Sequence, residues 1–112
     1  MGVVVPLDED RSRGQNAVAE LQAEGAAPII ALTHVGFTRD LEIAAAVPGL
    51  AAVIGGHSHT YMSSTNPSRQ APYPVWVDTA GGGLTPVVQA GAYGRHVGHL
   101  ILDLDADGNM TH

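Results

Sequence analysis

The 112 residues contain no cysteine. Thiolate metal ligands and disulfides are therefore excluded, and the chain carries no signature of an oxidising or a reducing compartment. Aromatic residues are nearly as scarce, with one Trp, three Tyr and one Phe. Val, Ile, Leu and Ala must fill the single modest core that this length allows. Positive charge is also short: five basic residues face eleven acidic ones, for a formal net charge of -6. Binding to a nucleic-acid backbone is driven by Lys and Arg displacing counterions, so no nucleic-acid partner is expected. A phosphorylated small molecule remains accessible if bound metal ions supply the positive charge. No apolar run approaches the roughly 20 residues that span a bilayer, and Met1 to Pro6 lacks the basic flank of a secretory signal. No membrane segment is expected, and any export address is expected to lie outside this sequence.

What is present reads as alternating strands and helices. Gly2 to Pro6 is a short apolar strand cut off by proline, and Asn16 to Glu24 places Ala17, Val18 and Leu21 on one helical face before Gly25. Pro28 to Thr33 is apolar without alternation, the pattern of a strand buried on both faces of a parallel sheet. Asp40 to Val47 predicts a short helix stopped by Pro48-Gly49, and Leu50 to Ile54 a second buried strand. Strand, helix, strand implies a right-handed parallel crossover. Ser63 to Pro74 is a turn-rich surface excursion ending at Val75-Trp76-Val77. Two further β-rich segments follow, Pro86 to Ala90 and Val97 to Leu104, between glycine-rich corners. No internal repeat interrupts the order.

Chemistry concentrates at the ends of the two buried strands. His34 follows the first. Gly55-Gly56-His57-Ser58-His59-Thr60 follows the second. On an extended segment His57 and His59 would project from one face and Ser58 from the other. The paired glycines remove bulk, allowing close approach to a ligand or positive φ. The carboxyl edge of a parallel sheet is where ligands collect, so three imidazoles are expected to converge there. One histidine beside a strand is ordinarily a satisfied structural residue. Three nitrogen donors at one edge suit Zn, Mn, Co or Fe better than Mg or Ca. Because the ligand is neutral imidazole, affinity is expected to fall below about pH 6.

The segments Ala31-Leu32-Thr33-His34-Val35-Gly36, Asp40, Val53-Ile54-Gly55-Gly56-His57-Ser58-His59-Thr60, Thr85 to Gly94 and Val97-Gly98 together resemble the binuclear metallophosphoesterases of the calcineurin-like superfamily. Within it they are most similar to the 5'-nucleotidase and 2',3'-cyclic phosphodiesterase group. The resemblance runs from about Gln15 to Gly108. It implies an α/β fold, part of a four-layer α/β/β/α sandwich, with residues 1–112 forming the C-terminal half of the catalytic domain. It further implies two divalent metal ions, His34 and His57 binding one and His59 the other, and a hydroxide between them attacking phosphorus. Asp40, Gly55, Gly56 and Tyr93 would lie behind the ligands or near the substrate, a phosphate ester or nucleotide. Such enzymes are periplasmic or extracellular.

The family's Asp-x-His, Gly-Asp and Gly-Asn-His blocks have no counterpart in these residues, nor does the C-terminal domain that clamps the base. No catalytic acid or base is therefore assigned. Zinc takes about four ligands, whereas this chain offers two for one ion and one for the other. The chain alone is expected to be inactive and to need the missing N-terminal half as partner. Two readings of other classes stay open, a non-catalytic metal-binding or interaction fragment and a Rossmann-like nucleotide-binding module.

Several weaker signals have plainer explanations. Asp103 to Gly108 imitates the start of a calcium loop, but no helix precedes it and the twelfth ligand would fall beyond His112. Gly81-Gly82-Gly83 lacks the Lys-Ser or Lys-Thr of a phosphate loop. His96, His99 and His112 are expected to be solvated or satisfied in the core. Arg69, Tyr61, Tyr73 and Trp76 are expected to pack loops. Asp40 is expected to cap the following helix or to orient His34.

Overall fold

The computed structural model describes residues 3–7 and 11–107, with side chains from residue 12 onward. His112 lies outside the described residues. Five strands and two helices follow one another as β1 (Val3–Leu7), α1 (Arg11–Ala23), β2 (Ile29–Thr33), α2 (Phe37–Ala46), β3 (Ala52–Ile54), β4 (Val75–Asp78) and β5 (Leu84–Val88). They build one sheet in the order β1-β2-β3-β5-β4. β1, β2, β3 and β5 are parallel, and β4 closes the far edge antiparallel to β5. Both crossovers step in the same direction across the sheet, and a right-handed connection then places both helices on the same face.

That one-sidedness decides the burial. Ala31, Val53 and Val87 lie in register across β2, β3 and β5 and meet Val18 of α1 and Ile43, Ala44 and Val47 around α2 in the core. The alternate row points away from the helices: Leu32 is 51% exposed and Ile54 39%. β2 is thus buried on one face, not on both as its apolar run predicts. Alternation is hidden because both of its faces are apolar, one against helices and one without them. Val88, next in that row, is covered, and it lines a concavity of about 360 Å³ with Tyr73, His99 and Leu100.

Other boundaries shift for identifiable reasons. β1 continues through Pro6 to Leu7, and an edge strand tolerates a proline that a central one would not. α1 begins at Arg11 instead of Asn16 and does end before Gly25, whose φ is +82°. α2 begins at Phe37, three residues before Asp40, because its first turn is capped from a distant loop. Val97 to Leu104 is not a strand apart from an isolated bridge residue at Leu104. Its composition favours pairing, but it is not among the strands of the five-stranded sheet, and Val97 is 94% exposed.

Candidate functional site

His34 leaves the carboxyl end of β2, and the Gly55 to Thr60 loop leaves that of β3. The His34 and His57 rings meet there with centroids 5.1 Å apart and planes at 69°. His59 turns to the edge of Tyr93, its centroid 5.3 Å away. The loop is not extended: His57 has φ of 75° and His59 of 57°. The three imidazoles therefore resolve into a pair and a neighbour, instead of projecting from one face as an extended segment would have them. All three are exposed.

Gly55 and Gly56 act through space, not through positive φ, which the histidines carry instead. A Cβ at Gly56 would lie 3.3 Å from His34 Nδ1, so its absence lets that ring lie against the backbone. A Cβ at Gly55 would fall within the Asp40 carboxylate. Asp40 is fully buried on α2, and its side chain does not cap that helix. Thr33 Oγ1 donates to its Oδ1 at 2.5 Å, whereas Oδ2 has no hydrogen-bond partner among the described residues. Burial pushes the carboxyl up to about 6, against the opposing pull of the Thr33 hydrogen bond.

The cap of α2 comes instead from Ser58, whose Oγ accepts the Phe37 N–H at 3.0 Å. The same oxygen lies 2.8 Å from Thr60 Oγ1 and 3.3 Å from Gln89 Nε2. Gln89, 3% exposed at the end of β5, accepts the Thr60 N–H through Oε1 at 2.7 Å. Ser58, Thr60 and Gln89 were not legible as site residues from sequence. Their positions inside the blocks of family resemblance were the available signal, and it did not distinguish them from their neighbours.

The turn after β5 completes the surroundings. Gly91 N donates to Thr60 O at 3.0 Å, and His96 stacks on Tyr61 at 4.1 Å between centroids. Tyr93, itself at φ of 60°, carries the Arg95 guanidinium 6.0 Å from its ring. Tyr61, Tyr73, His96 and His99 line a neighbouring concavity of about 280 Å³. Trp76 lies on β4, not in a loop, and Arg69 packs its own loop by donating to Ser63 O at 2.9 Å. Asp107 N donates to Asp105 Oδ1 at 2.9 Å, the turn expected of that acidic run.

The donor chemistry can be compared with a metal site. Two imidazoles on one ion, at nitrogen distances of about 2.0–2.1 Å and roughly tetrahedral spread, place their centroids about 5 Å apart. The 5.1 Å separation of His34 and His57 fits such a pair. Among the described residues, no group of three His, Cys, Asp or Glu side chains is placed to hold an ion by itself.

No protein-family model matches the chain. Individual proteins do. It is 37% identical to a human 5'-nucleotidase over 113 aligned positions, covering 97% of this chain and 20% of that protein. It is 39% identical over 100 positions to the snake venom 5'-nucleotidase of Crotalus adamanteus, covering 86% of this chain and 17% of that one. Among solved structures, a 5'-nucleotidase precursor from Thermus thermophilus superposes with a TM-score of 0.81 at 33% identity, over 95% of this chain and 21% of that one. The NAD nucleotidase of Haemophilus influenzae shares the fold, with a TM-score of 0.87 at 20% identity over 98% of this chain and 26% of that one. The chain thus spans about a fifth of the length of the curated relatives it matches. Both solved neighbours are calcineurin-like metallophosphoesterases, so the sheet and its two helices are part of that four-layer α/β sandwich. With identity to 5'-nucleotidases along nearly its whole length, the chain belongs to the 5'-nucleotidase group of the calcineurin-like metallophosphoesterases.

Proposed function

We propose that these residues form the later part of the catalytic domain of a metal-dependent hydrolase of phosphate esters, with nucleotides as substrates. The observation that carries the reading is the His34 and His57 pair, 5.1 Å between centroids at the carboxyl edge of the sheet, in a chain related to 5'-nucleotidases. His34 and His57 would hold one divalent ion, Zn, Mn or similar, and His59 would serve a second. Bound there, such ions lower the pKa of water and neutralise charge on phosphoryl oxygens. The chain's own residues position: Gly56 admits the His34 ring, Tyr93 faces His59, and the buried Asp40 under Gly55 fixes the start of the loop. The remaining ligands and the catalytic acid or base would come from Asp-x-His, Gly-Asp and Gly-Asn-His segments outside this sequence. No described helix is long and apolar enough to cross a membrane, and family resemblance supports action in the periplasm or outside the cell.

The test is a segment exchange. The 112 residues replace their counterpart in the Thermus thermophilus 5'-nucleotidase, and phosphate release from AMP is measured with added Mn or Zn. The chimera is expected to hydrolyse AMP, to lose that activity to chelator, and to fall at least 100-fold in kcat on His57→Ala, the upper range for loss of metal affinity and of electrostatic stabilisation. The 112-residue chain alone is expected to release no phosphate. A folded, metal-loaded chimera without activity would overturn the reading. Chelator-indifferent nucleotide binding by the chain would favour a binding module instead.

A further inference from the structure

His57 and His59 both hold a left-handed backbone, at φ of 75° and 57°, with no glycine at either position. Residues in that region persist where the surroundings over-determine them. The loop is tied to the sheet at both ends, by Gly55 N to Val88 O at 2.9 Å and by Gly91 N to Thr60 O at 3.0 Å. Between those ties, the inward-facing polar side chain that reaches the loop is Gln89, carried just past β5 beyond Val88, which pairs with Ile54.

We infer that Gln89 is a positioning residue for both histidines, its buried amide holding the loop in the left-handed conformation that brings His57 to His34 and His59 to Tyr93. As far as it concerns metal, the inference rests on the reading proposed above.

The donors and acceptors around the loop show why an amide is needed. A serine hydroxyl has one proton and two lone pairs. Ser58 Oγ accepts from Phe37 N–H and from Gln89 Nε2, leaving its proton for Thr60 Oγ1, so its capacity is used in full. Gln89 Oε1 meanwhile takes the buried Thr60 N–H. One planar group thus accepts from residue 60 and donates to residue 58, the residue between the two histidines. Glutamate would keep the acceptor and lose the donor. Leucine would lose both and leave the Thr60 N–H buried without a partner.

The inference is tested on the 112-residue chain by comparing wild type with Gln89→Glu, Gln89→Leu and Ser58→Ala. Cobalt(II) is titrated by its visible absorption. Backbone amide-to-Hα couplings of His57 and His59 are measured without metal, and thermal unfolding is followed separately. Both Gln89 variants are expected to raise the cobalt dissociation constant at least tenfold, the usual scale for a partner behind a metal ligand. The couplings are expected to leave the left-handed range while the helical circular dichroism signal persists. Ser58→Ala is expected to do the same to a smaller degree. A lowered melting point with unchanged couplings and cobalt affinity would mark Gln89 as merely structural and overturn the inference. If wild type takes up no cobalt, the ligands outside this sequence account for it, and the couplings alone decide the role of Gln89. Should Gln89→Leu fail to fold, Gln89→Glu and Ser58→Ala decide it.

Discussion

The two edges of the sheet both turn through left-handed backbone, but one uses glycine alone and the other adds residues with side chains. At the amino edge of β5, the turn joining it to β4 takes positive φ at Gly81, Gly82 and Gly83, and a Cβ at any of the three would meet nothing within 4 Å. At the carboxyl edge Gly36, Gly91 and Gly94 take positive φ too, but His57, His59 and Tyr93 join them, ordinary L-residues that lose stability there. A concavity of about 260 Å³ does open at the amino edge, beside Gln22, Thr79 and Thr85, but no charged side chain among the described residues lines it. Thr79 and Thr85 are spent on each other at 2.7 Å and on Ala44 O. Left-handed backbone at non-glycine residues, together with titratable rings, sets the carboxyl edge apart and is what the proposed function draws on. Cavity size alone would not have distinguished them.

The largest effect that would break this contrast comes from Gly55→Ala. Its Cβ would fall on the Asp40 carboxylate, which is buried on a packed helix and has nowhere to move, so a loss of about 3 kcal/mol in urea unfolding is expected. Gly82→Ala at the other edge meets no atom, and only its φ of 101° opposes it, so a loss of about 1 kcal/mol is expected. Equal losses at both positions would remove the distinction.

Next in size is a pH effect. The Asp40 carboxyl is raised to about 6 in the folded chain, above its value in the unfolded one. Below about pH 4 it is protonated in both states, and its full contribution to stability is present. As pH rises through about 6 the folded state must bury a charge, and stability on the order of 3 kcal/mol is lost. Asp40→Asn should flatten that slope between pH 4 and 7, measured as the difference from wild type. An unchanged slope would show that the carboxylate is stabilised by a group not among its described partners. The smallest effect is a gain. Asn tolerates the left-handed region better than most residues, so His59→Asn should stabilise the chain by about 0.5 kcal/mol in thermal unfolding while weakening metal binding. A loss of stability there would mean that His59 contributes packing on Tyr93 that exceeds its strain.

Much of this was readable from local pattern. The apolar runs before His34 and before Gly55 are the strands that present the site, and the crossover between them follows from their order. What failed was whatever depended on a distant partner. Asp40 looked like a helix cap because caps are usually local, yet Ser58 lies 21 residues from the Phe37 amide it serves. Val97 to Leu104 has strand composition, but pairing needs a neighbour, and composition does not reveal whether one is there. The alternation of His57, Ser58 and His59 suggested a shared face because period-two reasoning assumes extended φ, which neither histidine has. Gln89 looked like one more residue of a β-rich run, since nothing in a single sequence shows which loop a buried amide will meet.

The double service of the Ser58 hydroxyl also bears on how the molecule breathes. One oxygen finishes the first turn of α2 and fastens the segment between the two imidazoles. Gln89 donates to that oxygen and accepts the Thr60 N–H, so the amide protons of Phe37 and Thr60 should exchange with solvent at a common opening rate. Whatever clamps those rings would then slow fraying at the head of the helix, linking occupancy of the loop to the rigidity of α2.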